Sequence, residues 1–239
     1  MKAIIIIIII AILYMYLEKN STEVIFVESP LNNKKYLVRN LPDKQEAANL
    51  LAEISINLES IIEYLKTNSV DTIYYQFKLR KPKKSSDNKT SDNKKVKENN
   101  NENDENNEND ELHKNNKKIL DSDIKRLISN FNPDNFSEST PDVKYTSYSV
   151  NKGEKIVFCL RSKRVEQQLV KKNTMMFVAI HELSHLMTES VGHEPEFWEN
   201  FKFLLLIAIH IKAYKHINFN KNPEEYCGTE ITDTPLKQV

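Results

Sequence analysis

Glycine is scarce in this chain of 239 residues. The three glycines, Gly153, Gly192 and Gly228, lie in three separate segments. Phosphate-binding loops need two or three clustered glycines, because the backbone must approach the phosphate closely. The sequence therefore excludes a P-loop and a glycine-rich dinucleotide-binding loop.

The chain also has few cysteines and no excess of positive or negative charge. The two cysteines, Cys159 and Cys227, are far apart and form no CxxC pair, which disfavours a zinc site built on cysteine. We expect two buried thiols, with a disulfide as the alternative in an oxidising compartment. The 34 basic and 34 acidic side chains give a formal net charge of zero. The sequence thus carries no signature of nucleic-acid binding.

The N-terminus contains one long apolar run, residues 3–17, with seven consecutive isoleucines. As a helix it extends about 22 Å, which is less than a bilayer core of roughly 30 Å, but Lys2 and Tyr16 can reach the interface. No small residues of a signal-peptide cleavage site follow it. We therefore expect residues 1–18 to be an uncleaved single-pass anchor that contacts the membrane through residues 3–17. An expanded isoleucine tract is the alternative.

A polar segment divides the rest of the chain. Residues 81–118 begin with a lysine-rich stretch, and residues 98–111 are only Asn, Asp and Glu. A segment with so little apolar surface cannot offset the entropy of ordering it, so we expect a disordered insertion. Residues 22–80 are then the N-terminal part of a folded domain, and residues 119–239 are its catalytic part.

Hydrophobic periodicity and turn residues predict the secondary structure. Strands are predicted at residues 24–27, 35–39, 143–150 and 155–160, the last two joined as a hairpin by Asn151-Lys152-Gly153. Helices are predicted at residues 43–66, 119–131, 174–190 and 195–216; residues 70–79 suit a strand or a helix end, and the tail from residue 220 suits irregular structure. This mixture predicts an α+β fold with a small antiparallel sheet.

The segment His181-Glu182-Leu183-Ser184-His185 is an HExxH motif in an apolar, helical context. Histidines four residues apart share a helix face, so both imidazoles can bind one metal ion at about 2.0–2.1 Å. Glu182 lies one step around the helix, where it can accept the proton of a zinc-activated water molecule. The motif predicts a zinc site with His181 and His185 as ligands and Glu182 as the catalytic base.

A third ligand must come from outside this helix. We expect His193, because Gly192 can end the helix in a left-handed conformation and Pro195 suits the first turn of the next helix. The chain can then turn back toward the metal. Glu196 and Glu199 are the alternatives.

Two further parts of a catalytic site stay open at this point. Stabilisation of an oxyanion needs a donor, for which Tyr145, Tyr148 and Tyr226 are candidates. An extended substrate would lie beside a sheet edge, and the hairpin at residues 143–160 is the candidate edge.

The segment from His181 through Gly192-His193 to Phe197-Trp198 resembles the minimal zincins of the SprT and WLM (Wss1-like) type. Three stretches also resemble zinc metallopeptidases encoded by nucleocytoplasmic large DNA viruses: residues 36–41 with 44–51, residues 145–160, and residues 177–205. The resemblance implies one Zn²⁺ at His181, His185 and His193, a catalytic Glu182, and an HExxH helix packed on a following long helix. It further implies a protein or peptide substrate and a virion or host-membrane location.

Three functions fit these features. The first is a membrane-anchored zinc metallopeptidase. The second is a catalytically inactive zincin that serves as a structural or binding protein of a viral membrane, although a merely structural zinc site does not need Glu182. The third is a zinc hydrolase of another carbonyl substrate, which uses the same activation of water.

Overall fold

The computed structural model describes residues 23–77, 102–140, 146–163 and 167–236, together with Ile8 and Ile10. It confirms an α+β chain. The strands are β1 (Val24–Glu28), β2 (Lys35–Arg39), β3 (Phe136–Glu138), β4 (Ser147–Val150), β5 (Lys155–Phe158), β6 (Glu224–Tyr226) and β7 (Thr229–Ile231). The helices are α1 (Lys44–Thr67), α2 (Val70–Gln76), α3 (Glu102–Asn130), α4 (Lys172–Met187) and α5 (Pro195–His210), with a 3-10 turn at Pro133–Asn135.

The main sheet has five strands in the order β1-β2-β3-β5-β4. The predicted antiparallel sheet is wrong in topology, because β3 pairs in parallel with both β2 and β5. The outer pairs β1–β2 and β4–β5 are antiparallel hairpins. Strand β3 follows α1 and α3 in the chain, and a parallel pair requires such a long crossover. The strand β4 is therefore one edge of a mixed sheet.

Helix α4, which carries the HExxH motif, lies at the centre of the domain. It contacts α1, α3, α5 and β4, and its apolar residues from Met175 to Ile180 are all buried. A helix that is apolar on nearly every face is stable only where it is covered on every side. The predicted packing of this helix on the following helix is confirmed.

Helix α3 begins at Glu102, so residues 102–118 are helical and the predicted disorder is wrong there. The C-terminal half of α3 is anchored by the buried side chains of Leu120, Ile124 and Leu127. Adding residues to an existing helix costs less than starting a new one, which favours extension into the polar segment. Lys117 also forms an ion pair with Asp71 of α2, at 2.6 Å. Residues 81–101 of the predicted insertion lie outside the described residues.

Across the described part of the chain, no helix combines the length and apolar character that a membrane span requires. The predicted membrane anchor at residues 1–18 lies outside the described residues, apart from Ile8 and Ile10. Its membrane contact through residues 3–17 stays a prediction.

The C-terminal tail is ordered where irregular structure was expected. Strands β6 and β7 form a hairpin that a Cys159–Cys227 disulfide joins to the residue following β5. The expectation of two free thiols is therefore wrong, and the alternative of a disulfide is correct, because the fold brings the two Cα atoms to 6.2 Å. Helix α5 ends at His210, six residues before the predicted end.

Candidate active site

Three imidazole groups converge beside helix α4. Each of His181, His185 and His193 offers a ring nitrogen within 4.8 Å of those of the other two. The ring centroids form a nearly equilateral triangle, with separations of 5.0 Å, 4.9 Å and 5.0 Å. The structure therefore brings together all three histidines that the sequence pointed to.

The loop between α4 and α5 delivers His193 to the other two histidines. Helix α4 ends at Met187, and the chain reverses through Gly192, whose φ of 88° lies in the left-handed region that favours glycine. Pro195 then occupies the first turn of α5. The predicted restart at Pro195 is confirmed, but Gly192 does not end the helix, because α4 ends five residues earlier and its capping residue Thr188 is extended. Gly192 instead turns the loop that places His193 against the helix that it follows.

Glu196 has a different role from the one considered for it. Its carboxylate accepts hydrogen bonds from the backbone N–H groups of Glu189 and Ser190 and from the Ser190 hydroxyl. Although burial acts in the opposite direction, these bonds lower the pKa of Glu196. Within the described ranges, neither Glu196 nor Glu199 joins the group that could bind a metal. Glu196 instead holds the loop that carries His193.

Side chains from two other segments satisfy the carbonyl groups at the C-terminal end of α4. Asn130 donates to Leu186 O at 3.3 Å, and Arg126 donates to Met187 O at 2.8 Å. Lys152, in the turn between β4 and β5, donates to the next two carbonyl oxygens, at 2.7 Å and 2.6 Å. The last carbonyls of a helix have no partner within it and carry partial negative charge, so cationic donors stabilise this end. None of these contacts was predicted from the sequence.

Burial sets the protonation of the central groups. It lowers the pKa of His181 to about 3 and that of His185 to about 4, with smaller contributions from the neighbouring histidines. Both imidazoles are therefore neutral at pH 7, as metal ligation requires. Burial raises the pKa of Glu182 to about 7, so this carboxyl group is poised between its two states near neutral pH.

An aromatic wall fixes the orientation of the imidazole rings. The ring of Phe197 lies 4.8 Å from that of His181, 4.4 Å from that of His185 and 4.6 Å from that of His193. Phe197 is fully buried, so its position is fixed by the packing of α5 on α4. Packing of this kind restrains the ligands without occupying the ring nitrogens.

The donor set fits a zinc ion. Two nitrogens bound to one tetrahedral zinc at about 2.0–2.1 Å lie about 3.3 Å apart. The Nε2 atoms of His181 and His193 are 3.1 Å apart, close to that separation. Three imidazoles leave the fourth coordination position to water or substrate, which is the pattern of catalytic rather than structural zinc sites.

The three histidines and Glu182 lie on a cleft of 640 Å³. One side of the cleft is the edge strand β4 with Lys152, and another is the β6–β7 hairpin with Tyr226, Thr229 and Ile231. Of the three tyrosines considered as oxyanion donors, Tyr148 and Tyr226 line this cleft, and Tyr145 lies outside the described residues. The hairpin wall was not predicted, because strands of three residues have almost no periodic signal.

Comparison with known proteins gives this site a family context. A WLM domain is recognised over residues 130–238, the part of the chain that contains the cleft. The chain is 32% identical over 229 residues to "Uncharacterized protein R325" of Acanthamoeba polyphaga mimivirus, covering 96% of this chain and 93% of that protein. It is also 31% identical over 83 residues to "Uncharacterized protein 136R" of Invertebrate iridescent virus 6, which is 34% of this chain and 44% of that protein.

Among solved structures, Wss1 from Saccharomyces cerevisiae matches with 26% sequence identity and a TM-score of 0.30. That match covers 33% of this chain and 60% of the Wss1 chain. The recognised domain and the near full-length viral relative agree with the resemblance seen in the HExxH segment. The chain therefore belongs to the WLM (Wss1-like metalloprotease) family and is related to proteins of large DNA viruses.

Proposed function

We propose that this protein is a zinc-dependent metallopeptidase, with zinc bound by His181, His185 and His193 and with Glu182 as the general base. The observation that carries the proposal is the convergence of three imidazoles beside a buried carboxyl group on one open cleft. Membership of the WLM family supports it.

Zinc held by His181, His185 and His193 would supply Lewis-acid chemistry, which activates water near neutral pH and polarises a carbonyl group. The protein's own contribution begins with Glu182, which accepts a proton as the water oxygen bonds to the carbonyl carbon. The same carboxyl group can pass that proton to the nitrogen of the leaving amine when the C–N bond breaks. A carboxyl group with a pKa near 7 can act in both directions at neutral pH.

The edge strand β4 is the proposed docking line for substrate. Among the described strands it pairs only with β5, and residues 146–149 line the cleft. An extended peptide can add to such an edge through backbone hydrogen bonds, which recognise an extended chain whatever its side chains. This arrangement favours cleavage within unfolded or extended segments of a protein.

The proposal is tested by zinc content and by hydrolysis of fluorescently labelled casein, using the full chain. We expect about one zinc per chain, loss of most of it in His193→Ala, and casein cleavage that a chelator abolishes. Glu182→Gln is the matched variant, because it keeps the three imidazoles but removes the base. Folded wild type without zinc, or a Glu182→Gln variant as active as wild type, would refute the proposed function.

Membrane attachment through residues 3–17 is a separate part of the proposal. It rests on the apolar run alone. Flotation of the full chain with phosphatidylcholine vesicles, compared with a chain lacking residues 1–18, tests it. Equal flotation of the two chains would contradict an anchor at these residues.

A further inference from the structure

The β6–β7 hairpin forms a wall of the cleft that carries a phenol group next to a tight turn. Tyr226 is buried, lines the cleft and is the last residue of β6. Its hydroxyl group lies 2.5 Å from the Oγ atom of Ser147, the first residue of the edge strand β4. The phenol therefore sits between the hairpin and the strand along which we expect the substrate to lie.

The turn after Tyr226 restricts where this side chain can go. Tyr226 pairs with Thr229, so Cys227 and Gly228 alone form the turn, with φ angles of 52° and 88°. Two successive positive φ angles define the type I′ turn that suits a two-residue hairpin. The Cys159–Cys227 disulfide then fixes the turn to the end of β5.

Strand β6 is held at its other end as well. The Glu224 carboxylate accepts a hydrogen bond from the hydroxyl group of Thr174 in α4 and forms an ion pair with Lys171 at 3.1 Å. Both partners are at the N-terminal end of the helix that carries the metal-binding histidines. Tyr226 is thus connected to the HExxH helix through one end of its strand and to the sheet through the other.

The hydroxyl group of Tyr226 is also close enough to the carboxylate of Glu182, the proposed base, to interact with it electrostatically. Burial and, to a smaller extent, the Glu182 carboxylate raise the pKa of Tyr226 above its usual value. The group therefore stays protonated at neutral pH and can donate a hydrogen bond. Tyr148, the other candidate donor that lines the cleft, lies on the edge strand itself, next to Ser147.

From this geometry we propose, on the basis of the proposed peptidase function, that Tyr226 is a catalytic residue that donates a hydrogen bond to the carbonyl oxygen of the scissile peptide. The oxygen becomes negatively charged as water adds to the carbonyl carbon, and the phenol proton stays on Tyr226 throughout. In the absence of substrate the hydroxyl group is held by Ser147. The disulfide and the turn are positioning elements, because they fix the donor before the charge develops.

Two variants remove the same resting hydrogen bond and differ in the donor. Tyr226→Phe removes the phenol hydroxyl group, whereas Ser147→Ala removes its partner and leaves the donor in place. We expect kcat on labelled casein to fall about 10²–10³-fold in Tyr226→Phe. In Tyr226→Phe, KM and bound zinc should stay within about twofold of wild type. Ser147→Ala alters the proposed docking strand but keeps the donor, so its kcat should exceed that of Tyr226→Phe by at least about tenfold.

A binding measurement tests the role of Tyr226 as a donor without catalytic turnover. Acetohydroxamate mimics a carbonyl oxygen at the metal, and its binding to the Co²⁺-loaded full chain can be followed in the visible spectrum. Loss of a hydrogen bond to a charged oxygen predicts that Tyr226→Phe weakens this binding about 10–100-fold. Ser147→Ala keeps the donor and should weaken this binding at least about fivefold less than Tyr226→Phe does.

Equal effects of Tyr226→Phe and Ser147→Ala, in both measurements, would overturn the proposal and assign the pair to packing. Unchanged acetohydroxamate binding in Tyr226→Phe would overturn it as well. Wild type that binds acetohydroxamate but does not cleave casein contradicts the peptidase function, while the comparison of variants still decides the role of Tyr226. Failure to bind Co²⁺ overturns both proposals.

The positioning role of the disulfide is tested in the Cys159→Ser/Cys227→Ser double variant. We expect lower kcat and weaker acetohydroxamate binding, with the fold checked by circular dichroism. Adding Tyr226→Phe to the double variant should lower kcat and weaken acetohydroxamate binding by smaller factors than it does in wild type. The reason is that the hydroxyl group of Tyr226 is no longer held in position there. Fully additive effects would show that the disulfide does not position Tyr226.

Discussion

Replacing the proposed base, Glu182, should stabilise the metal-free protein. Glu182 lies in the wall of the cleft with only 4% of its surface exposed, and no described positive group offsets its burial. Glu182→Gln keeps the size and shape of the side chain but can never carry a charge. The variant therefore isolates the free energy that the fold spends on burying a carboxylate.

The magnitude follows from the pKa. Burial raises the pKa of Glu182 from 4.5 to about 7 in the folded chain, and one pKa unit corresponds to about 1.4 kcal/mol. Between these pH values the folded chain binds a proton that the unfolded chain has released. The free energy of unfolding of wild type therefore falls as the pH rises through this window. The advantage of Glu182→Gln should grow from near zero at pH 4.5 to about 3 kcal/mol at pH 8.

Urea denaturation in the presence of a chelator, at several pH values from 4.5 to 8, measures this difference. Subtracting the free energies of unfolding of the two proteins removes the contributions of all other titrating groups, because both proteins contain them. Glu63→Gln, at an exposed position of α1, is the control and should show no such growth with pH. A constant difference across the pH range, or a Glu182→Gln variant less stable than wild type at pH 8, would refute the reasoning.

Three further predictions concern the elements that hold the site. Glu196→Ala should weaken zinc binding about 10–100-fold in competition with a chromogenic chelator, because the loop carrying His193 loses its carboxylate partner; the exposed Glu194→Ala should not. Gly192→Ala should lower the free energy of unfolding by about 1–2 kcal/mol, since φ is 88° and no neighbouring atom lies within 4 Å of the added methyl group. An unchanged free energy of unfolding in Gly192→Ala would contradict the left-handed conformation of Gly192. Cys159→Ser/Cys227→Ser should lower the free energy of unfolding by about 4 kcal/mol, given the sequence separation of 68 between the cysteines; unchanged urea midpoints would contradict this.

The sequence predicted the parts of the fold that depend on local pattern. The helix periodicity of residues 43–66 reappears as α1, and the HExxH helix ends near the expected residue. The position of His193 could be anticipated because Gly192 and Pro195 predict a left-handed turn and the start of a new helix within a few residues. Each of these signals acts over one or two turns of chain.

Features that depend on distant parts of the chain escaped prediction. Strand β3 has three residues, and its central residue Ser137 pairs with Leu37 of β2, 100 residues earlier, and with Val157 of β5, 20 residues later. The disulfide depends on the fold bringing Cys159 and Cys227 together, which no spacing rule reveals. Helix α3 extends into a segment whose composition argued against order, because its buried C-terminal half had already nucleated the helix.

The Cys159–Cys227 disulfide closes a ring of chain that contains α4 and α5. All three histidines and Glu182 lie inside this ring. A single cut in the exposed loop between the two helices would therefore leave both pieces covalently joined, one bearing His181 and His185 and the other bearing any ligand beyond the cut. In denaturing electrophoresis such a nicked protein would migrate as one species until a reductant broke the disulfide. Only then could the metal ligands on the two pieces separate.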